Sequence, residues 1–94
     1  MILKPEIAAT TMCDDMTQFG IDCATLALVR HESNNYRKMA EYIKGEFDKR
    51  YGGYWGVCIG KRDQFNTFFH VQEFSYLSFY MGDIRFIILK PRAL

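Results

Sequence analysis

The stretch that decides the fold is Gly45–Gly60, GEFDKRYGGYWGVCIG, because the hydrophobic period of the chain changes within it. Before it, apolar residues recur at three- and four-residue spacing, which predicts helices; after it, they alternate with polar residues, which predicts strands. Glycine adopts the left-handed conformation that ends many helices without steric cost, so Gly52-Gly53 is expected to end a helix. Trp55 then opens the strand half of the chain.

Two helices are predicted before this stretch. The first begins near Met12, where Thr11 and Asp14 have the spacing of a capping box, and carries apolar residues to about Leu28. Gly20 lies in its middle and costs about 1 kcal/mol relative to alanine there. We expect that this glycine lets another element approach closely.

The second predicted helix spans Tyr36–Tyr51 and follows N-cap candidates in the run Glu32–Asn35. Its apolar face is predicted to consist of Tyr36, Met39, Ala40, Ile43, Phe47 and Tyr51. Its solvent side is predicted to carry Lys38, Glu41, Lys44, Asp48 and Lys49. The helix is therefore amphipathic and should pack on a sheet.

The strand half predicts an antiparallel sheet. Its predicted strands are Tyr54–Gly60, Phe65–Gln72, Ser75–Met81 and Ile84–Lys90. Lys61–Gln64 should form a charged turn, and Gly82-Asp83 should form a two-residue hairpin. Pro91 should stop the last strand. This strand looks buried on both faces except at Arg85. With a short edge strand at Glu6–Ala9, the order predicts the α+β class, two helices packed on an antiparallel sheet.

Composition limits the function classes. The 94 residues fit a single domain, 1–94, in which 1–10 is an N-terminal arm or short edge strand. A content of 49% hydrophobic and 16% aromatic residues exceeds what one small core hides, which favours a partner or a dimer. A net charge of +1 gives no long-range electrostatic field that would attract nucleic acid or an anionic membrane. No run approaches the roughly 18 apolar residues of a membrane span, so a soluble protein is expected.

Candidate catalytic and metal-binding residues are sparse. The cysteines Cys13, Cys23 and Cys58 lack CxxC spacing and predict free thiols in a reducing cytoplasm. His31 and His70 lie in no catalytic signature, the thiols are too scattered for zinc, and Gly52-Gly53 is no phosphate loop. We therefore expect no enzyme activity, no metal and no cofactor. A nucleic-acid stacking platform on the aromatic strands is disfavoured because those strands carry few basic residues.

The segment Phe65–Val71 is bulky, alternating and uncharged, and it lacks the lysine, proline or bulge that usually protects an exposed strand edge. Such a strand should pair with something. One interpretation places it inside the sheet of its own chain. The other has it pair across a subunit interface and offer its second edge to a ligand strand by β-augmentation.

Several motifs resemble those of one known family. They are Asp22-Cys23-Ala24-Thr25, Tyr42-Ile43-Lys44, Glu46–Tyr51 leading to Trp55, Ile59-Gly60, and Phe79-Tyr80-Met81-Gly82. From about Met12 to Lys90 the chain resembles the small dynein light chains of type 1 and type 2, the eight-kilodalton class.

This resemblance implies a strand-exchanged dimer. In the family, the strand that corresponds to Phe65–Val71 crosses to the partner's sheet, and each of two grooves receives an extended peptide as an extra strand. The implied groove residues are Phe65, Asn66, Thr67, Phe68, Phe69, His70 and Val71, together with Arg37 and Tyr76. The implied dimer-interface residues are Trp55, Gly56, Lys44 and Phe68.

Departures from the family pattern refine this expectation. Val71 stands where the family has a ligand-holding histidine, His70 is one place early, and Asn66 replaces a glycine. The segments Glu32–Asn35 and Lys61–Gln64 are longer than in the family. These changes weaken the case for broad peptide recognition and favour a dedicated light chain, of axonemal type.

The functional expectation is a non-catalytic light chain of a dynein motor, a microtubule-based motor protein, in the cytoplasm, the cytoskeleton and a cilium or flagellum axoneme. Its expected partners are dynein intermediate or heavy chains, with neither nucleic acid nor membrane among them. The alternative is a general dimerisation hub for disordered proteins. Homodimer and heterodimer with a related light chain both remain open, since either buries the same strand.

Overall fold

Two helices pack on one face of an antiparallel sheet in the computed structural model, which describes residues 4–31, 35–64 and 74–91. The elements are β1 (Pro5–Thr10), α1 (Asp14–Arg30), α2 (Tyr36–Tyr51), β2 (Gly56–Lys61), β3 (Phe74–Met81) and β4 (Ile84–Pro91), with a 3₁₀ turn at Arg62–Gln64. In the described ranges the sheet has the order β1–β3–β4–β2, and every neighbouring pair is antiparallel. The predicted fold class is confirmed. The predicted strand Phe65–Gln72 lies outside the described residues.

Helix α1 does not begin with the predicted capping box. Its N-cap is Cys13, which has no side-chain capping bond, and the acidic pair Asp14-Asp15 lies in the first turn, where the helix dipole favours it. Thr11 instead binds β3: its N–H donates to the Tyr76 carbonyl (2.8 Å) and its Oγ1 accepts from the Tyr76 N–H (2.9 Å). Bonding to a neighbouring strand therefore replaced the local cap.

Helix α2 has the predicted bounds. The side chain of Asn35 accepts a hydrogen bond from the Lys38 N–H at 3.3 Å, which confirms an N-cap in the predicted run. At the other end Gly52 has φ +88°, a value that glycine adopts without strain, so the predicted glycine break is confirmed. Met39, Ile43 and Phe47 are fully buried, as the apolar face predicts.

Gly20 marks the closest approach of α1 to the sheet. A Cβ placed on Gly20 would lie 2.7 Å from Leu77 Cδ2 on β3 and 3.3 Å from Ile88 Cδ1 on β4. Both distances are shorter than ordinary van der Waals contacts. The prediction that this glycine permits close packing is confirmed.

Strands β2, β3 and β4 differ from their predicted bounds at four ends, and one of these is the end of β2, at Lys61 rather than Gly60. Strand β2 begins at Gly56 rather than Tyr54, because Tyr54 has φ +77° and the Trp55 N–H binds Asp48 instead of a strand. Strand β3 starts one residue early, at Phe74. Pro91 does not stop β4 but is its last residue, opposite Phe74, since a residue at a strand end need not donate to the ladder.

The turn between β3 and β4 and the edge strand β1 follow the predicted pattern. Gly82 has φ +62° and Met81 lies opposite Ile84, which is the predicted two-residue hairpin with glycine first. The expected edge strand at Glu6–Ala9 is present as β1, one residue longer at each end and with a register shift between Ile7 and Ala9.

The core lies between the helices and the sheet. On β3 and β4 it contains Leu77, Phe79, Met81, Ile84, Phe86 and Ile88. Because side chains alternate between the two faces of a strand, Ser78 and Ile87 lie on the sheet face away from the helices. Both are nevertheless fully buried. Burial of β4 on both faces was predicted, and Arg85 is partly exposed, also as predicted. Neither α1 nor α2 is long and apolar enough to cross a membrane, and no other helix of that kind occurs in the described ranges.

Candidate functional site

A short reversal at residues 52–55 joins α2 to β2, and Asp48 holds it in place. Asp48 Oδ1 accepts from the Trp55 N–H at 3.2 Å, and Oδ2 accepts from Lys44 Nζ at 2.6 Å. The Lys44 hydrogen bond, aided by the Trp55 N–H, lowers the pKa of Asp48. Asp48 lies on the predicted polar side of α2, and its side chain is 29% exposed because it also contacts the reversal.

Trp55 is buried at this corner, with 3% of its surface exposed. Its ring centroid lies 4.9 Å from that of Phe47 and 6.2 Å from that of Tyr51. On the sheet side, Lys90 Nζ lies 5.6 Å from the centre of the indole. Trp55 therefore fixes the start of β2 against the last turn of α2.

Among the described residues, strand β2 has one paired edge and one edge without a neighbouring strand, here called the open edge. Its paired edge runs along β4 from Gly56 opposite Leu89 to Lys61 opposite Ile84. On the other edge, no strand among residues 4–31, 35–64 and 74–91 pairs with it. The strand contains no proline and no bulge, and Lys61 is its one charged residue. The edge therefore offers main-chain donors and acceptors to an extended segment.

A polar stripe follows α2 from its N-terminus to the start of β2. Spacing places Arg37, Glu41, Lys44 and Asp48 on one side of the helix, joined as two ion pairs, Arg37 Nε to Glu41 Oε1 at 3.3 Å and Lys44 to Asp48. The side chain of Arg37 is 90% exposed. Because such exposed pairs contribute little stability, the guanidinium of Arg37 can exchange Glu41 for a ligand.

The structure places the expected site residues in two regions. Lys44, Trp55 and Gly56 meet at the corner, linked by Asp48. Tyr76 is buried on β3, on the sheet face away from the helices, so one chain does not bring it together with Arg37. The expected residues Phe65, Asn66, Thr67, Phe68, Phe69, His70 and Val71 lie outside the described residues.

Arg62 is a residue that the sequence did not single out. Its Nη2 donates to Glu6 Oε2 (2.5 Å), its Nε donates to the Gly82 carbonyl (3.2 Å), and its guanidinium lies 4.0 Å from the Tyr80 ring centre. The hydrogen bond with Glu6 raises the pKa of Arg62 further. These contacts anchor the end of β2 to β1 and to the β3–β4 turn. No sequence signal links Arg62 to a residue 56 positions away.

The cysteines differ in their surroundings. Cys23 is buried in the core, and this burial, reinforced by Glu46 and Asp22, raises the pKa of its thiol to about 11. The thiol is therefore protonated at neutral pH and is a weak nucleophile. Cys13 and Cys58 are exposed on the single chain. Over the described ranges, His, Cys, Asp and Glu side chains form no group of three that could hold a metal ion.

Comparison with known proteins agrees with this geometry. The sequence model of the family described as dynein light chain type 1 matches residues 4–91. A cytoplasmic dynein light chain of Emericella nidulans is 30% identical over 90 residues, which are 96% of this chain and 92% of that protein.

Solved structures show the same fold. The dynein light chain-like domain of the Fasciola hepatica calcium-binding protein FhCaBP2 superposes with a TM-score of 0.82 at 20% identity, covering 96% of this chain and 93% of that one. The dynein light chain-like domain of CsTAL3 superposes with a TM-score of 0.69 at 18% identity, covering 94% and 95%. By the match over 4–91 and the identity to the fungal protein, the chain belongs to the dynein light chain type 1 family.

Proposed function

We propose that this chain is a non-catalytic light chain of a dynein motor that dimerises and binds extended segments of dynein intermediate or heavy chains by β-strand addition. The observation that carries the proposal is the open, regular edge of β2 beside α2. An edge without proline, bulge or a row of lysines is a surface that natural proteins cover. Membership of the family supports dynein as the assembly that covers it.

In the proposed dimer, strand Phe65–Val71 of each chain pairs with the β2 edge of the other. Its second edge then faces the N-terminal half of the partner's α2, where Arg37 lies. The groove would consist of Phe65, Asn66, Thr67, Phe68, Phe69, His70, Val71, Arg37 and Tyr76. Two chains are needed for this groove, since within one chain Tyr76 and Arg37 lie on opposite sides of the sheet.

The subunit interface is proposed to include Trp55, Gly56, Lys44 and Phe68. The corner built by Asp48 supports this role because it presents the first residue of the open edge in a fixed position. Two grooves in one dimer would bind two segments of a dynein chain pair, and joining two weak sites raises apparent affinity by about 10²–10⁴. The proposed role is assembly of the motor, and no step of it needs catalysis.

The family and the cytoplasmic relative support a place in the cytoplasm and on the cytoskeleton. We further propose that residues 1–94 act as one domain, that the chain serves an axonemal dynein, and that its recognition is narrow because Val71 and Asn66 replace two family residues. The choice between homodimer and heterodimer follows from which chains co-purify with it.

The test uses the β2 edge itself. Cys58 is exposed on β2, so Cys58→Lys places a charge on the edge and Cys58→Ser is the matched neutral control. We expect sedimentation velocity to show a dimer for the wild-type and serine proteins and a weakened dimer for the lysine variant. We also expect peptides from dynein intermediate or heavy chains to bind the wild-type dimer with a stoichiometry of one per chain.

Two results would contradict the proposal. One is a wild-type chain that sediments as a monomer at all concentrations. The other is a peptide array on which many unrelated disordered segments bind as well as those of dynein chains, because that result supports the general hub.

A further inference from the structure

A cavity of about 220 Å³ lies between α1 and α2, outside the residues proposed for the peptide groove and the subunit interface. It is lined by Phe19 of α1 and by Glu46, Lys49 and Arg50 of α2. Two packed helices leave a groove along their line of contact. On α1, Leu26 and Arg30 follow Phe19 at seven and eleven positions, so they lie two and three turns further along the same side of the helix. We call the cavity and this groove the helix cleft.

An arginine reaches across each end of the helix cleft to an aromatic ring of the other helix. The guanidinium of Arg50 on α2 lies 4.6 Å from the ring centre of Phe19 on α1. The guanidinium of Arg30 on α1 lies 5.3 Å from the ring centre of Tyr42 on α2. Such stacking occupies the flat face of a guanidinium, so the N–H groups in its plane stay available to a carboxylate.

The positive charge at the two ends of the helix cleft is not balanced. Within the part of the chain that the structure describes, neither Arg30 nor Arg50 forms an ion pair with a carboxylate. Glu46, nearer the middle, is paired with Lys49, whose Nζ lies 3.2 Å from Glu46 Oε2. A ligand is therefore favoured if it brings negative charge to the two ends of the cleft and none to its middle.

Apolar surface lies between these charges. Leu26 is 45% exposed and Val29 is 77% exposed, and because they are three positions apart they are neighbours on the surface of α1. An exposed apolar patch with a rim of charged residues is typical of a protein interaction site. A ligand that covers both side chains removes apolar area from water, which favours binding.

We propose that the helix cleft binds an acidic amphipathic helix of a partner protein, as a second interaction site besides the proposed peptide groove. In this arrangement, apolar side chains of the ligand cover Leu26 and Val29, and an acidic side chain at each end binds one of the two arginines. An amphipathic helix that lies in a groove is a recurring mode of peptide recognition. The site does not depend on dimerisation, since all its residues belong to α1 and α2 of one chain.

The positions of the two arginines predict the spacing of the acidic residues on the ligand. Tyr42 and Arg50 are eight positions apart, which is about 12 Å along α2. Phe19 and Arg30 are eleven positions apart, which is about 16 Å along α1. A ligand helix that spans the same distance carries its acidic residues about two to three turns apart, on the face that it turns toward the cleft.

An anionic membrane is the less favoured partner of this surface. Asp22 and Glu46 lie between the two arginines along the helices, and lipid phosphates would meet both carboxylates. Like charges brought together at an interface oppose binding, whereas a helix can place neutral residues opposite these carboxylates.

A displayed library of helical peptides of about 18 residues, or five turns, tests the inference when it is selected on the full chain. We expect enriched peptides to carry Asp or Glu about 8–11 positions apart, with apolar residues between them. A synthetic copy of an enriched peptide should shift the methyl resonances of Leu26 and Val29. Arg30→Gln combined with Arg50→Gln should weaken its binding about tenfold, because two charged contacts are lost.

Charge reversal distinguishes a lost contact from a damaged fold. The protein with Arg30→Glu and Arg50→Glu should not bind the acidic peptide, but it should bind a version that has lysine at the two acidic positions. Lys4→Gln is the control, since Lys4 is exposed and precedes β1, and it should leave the affinity for the acidic peptide unchanged.

Selection of no helical peptide overturns the inference. Enrichment only of extended peptides that compete with dynein-chain peptides also overturns it and leaves the proposed function standing. Binding of a helical peptide that keeps its affinity after both arginines are replaced shows that the cleft is not its site. If the arginine substitutions instead convert dimers to monomers in sedimentation, or abolish binding to phosphatidylserine vesicles, the cleft contacts a second copy or a membrane and the assignment to a partner helix is wrong.

Discussion

At the residue scale, the carboxylate of Asp48 joins a helix to a strand. One of its oxygens binds Lys44 on α2, and the other binds the main chain of Trp55 after the glycine break. Both bonds favour the charged form, so the pKa of Asp48 in the folded chain lies below its ordinary value of 3.8. The stabilisation is therefore fully present above about pH 4 and is lost as the pH falls through the lower folded value.

We expect Asp48→Asn to lower the free energy of unfolding at pH 7. The difference in free energy of unfolding between wild type and variant should shrink as the pH falls below about 4. The physical reason is that asparagine carries no charge to lose, whereas protonation removes the charge of the wild-type carboxylate. Urea unfolding at a series of pH values measures this difference. Glu41→Gln, in the exposed pair with Arg37 on the same helix, is the control and should have a smaller effect at pH 7. Equal dependence of the free energy of unfolding on pH in wild type and Asp48→Asn would contradict the stabilising role assigned to the charged Asp48 carboxylate.

At the element scale, the packing of α1 on the sheet depends on Gly20. The helix passes so close to β3 and β4 that a methyl group on this residue would overlap the side chain of Leu77, which is fully buried. Gly45 on α2 is the opposite case, because a Cβ there meets nothing within 4 Å.

We expect Gly45→Ala to stabilise the chain by about 1 kcal/mol, the difference in helix propensity between the two residues. Gly20→Ala gains the same propensity but overpacks the core, at a cost of about 1–3 kcal/mol. The two variants should therefore differ in free energy of unfolding by about 1–3 kcal/mol, with Gly20→Ala less stable. Chemical denaturation of both proteins tests this. Equal stabilities would show that α1 can shift away from the sheet.

At the scale of the whole molecule, we expect Gly56 to determine how the proposed dimer responds to acid. The resemblance to the family implies a histidine at this interface position whose protonation separates the subunits, and glycine cannot be protonated. We expect the wild-type dimer to persist from pH 7 to about pH 5. Light scattering across that range measures it, and monomers near pH 5–6 would contradict the expectation.

Gly56→His should introduce the missing response. A Cβ at Gly56 would meet only Leu89, at 3.7 Å and beyond, so the structure has room for its first atom. Burial at an interface disfavours the charged imidazole, which lowers its pKa in the dimer, so dimers should dissociate as the pH falls below about 6.5. Gly56→Gln is the uncharged control and should show no such step.

Much of the local structure could be predicted because it depends on residues close together in the chain. The bounds of α2, its Asn35 cap, its Gly52 break and the Gly82 hairpin each follow from patterns spanning a few residues. The identity of the interface residues Lys44, Trp55 and Gly56 came from family resemblance, and their role stays a proposal. The bond of Asp48 to the Trp55 N–H could not be predicted, because a carboxylate at a helical solvent position gives no sign of a chain reversal that folds back onto it.

Local patterns in the chain thus predicted both helices, the glycine break in Gly45–Gly60, and the strands β2, β3 and β4. Only the tertiary structure decided the order β1–β3–β4–β2, the binding of Thr11 to β3 in place of a helix cap, and the anchoring of Arg62 to Glu6. The physical reason is that helix and turn preferences act between near neighbours, whereas strand order and polar pairing follow from which distant groups are buried together. At Trp55 this burial leaves the indole N–H without a hydrogen-bond partner among residues 4–31, 35–64 and 74–91.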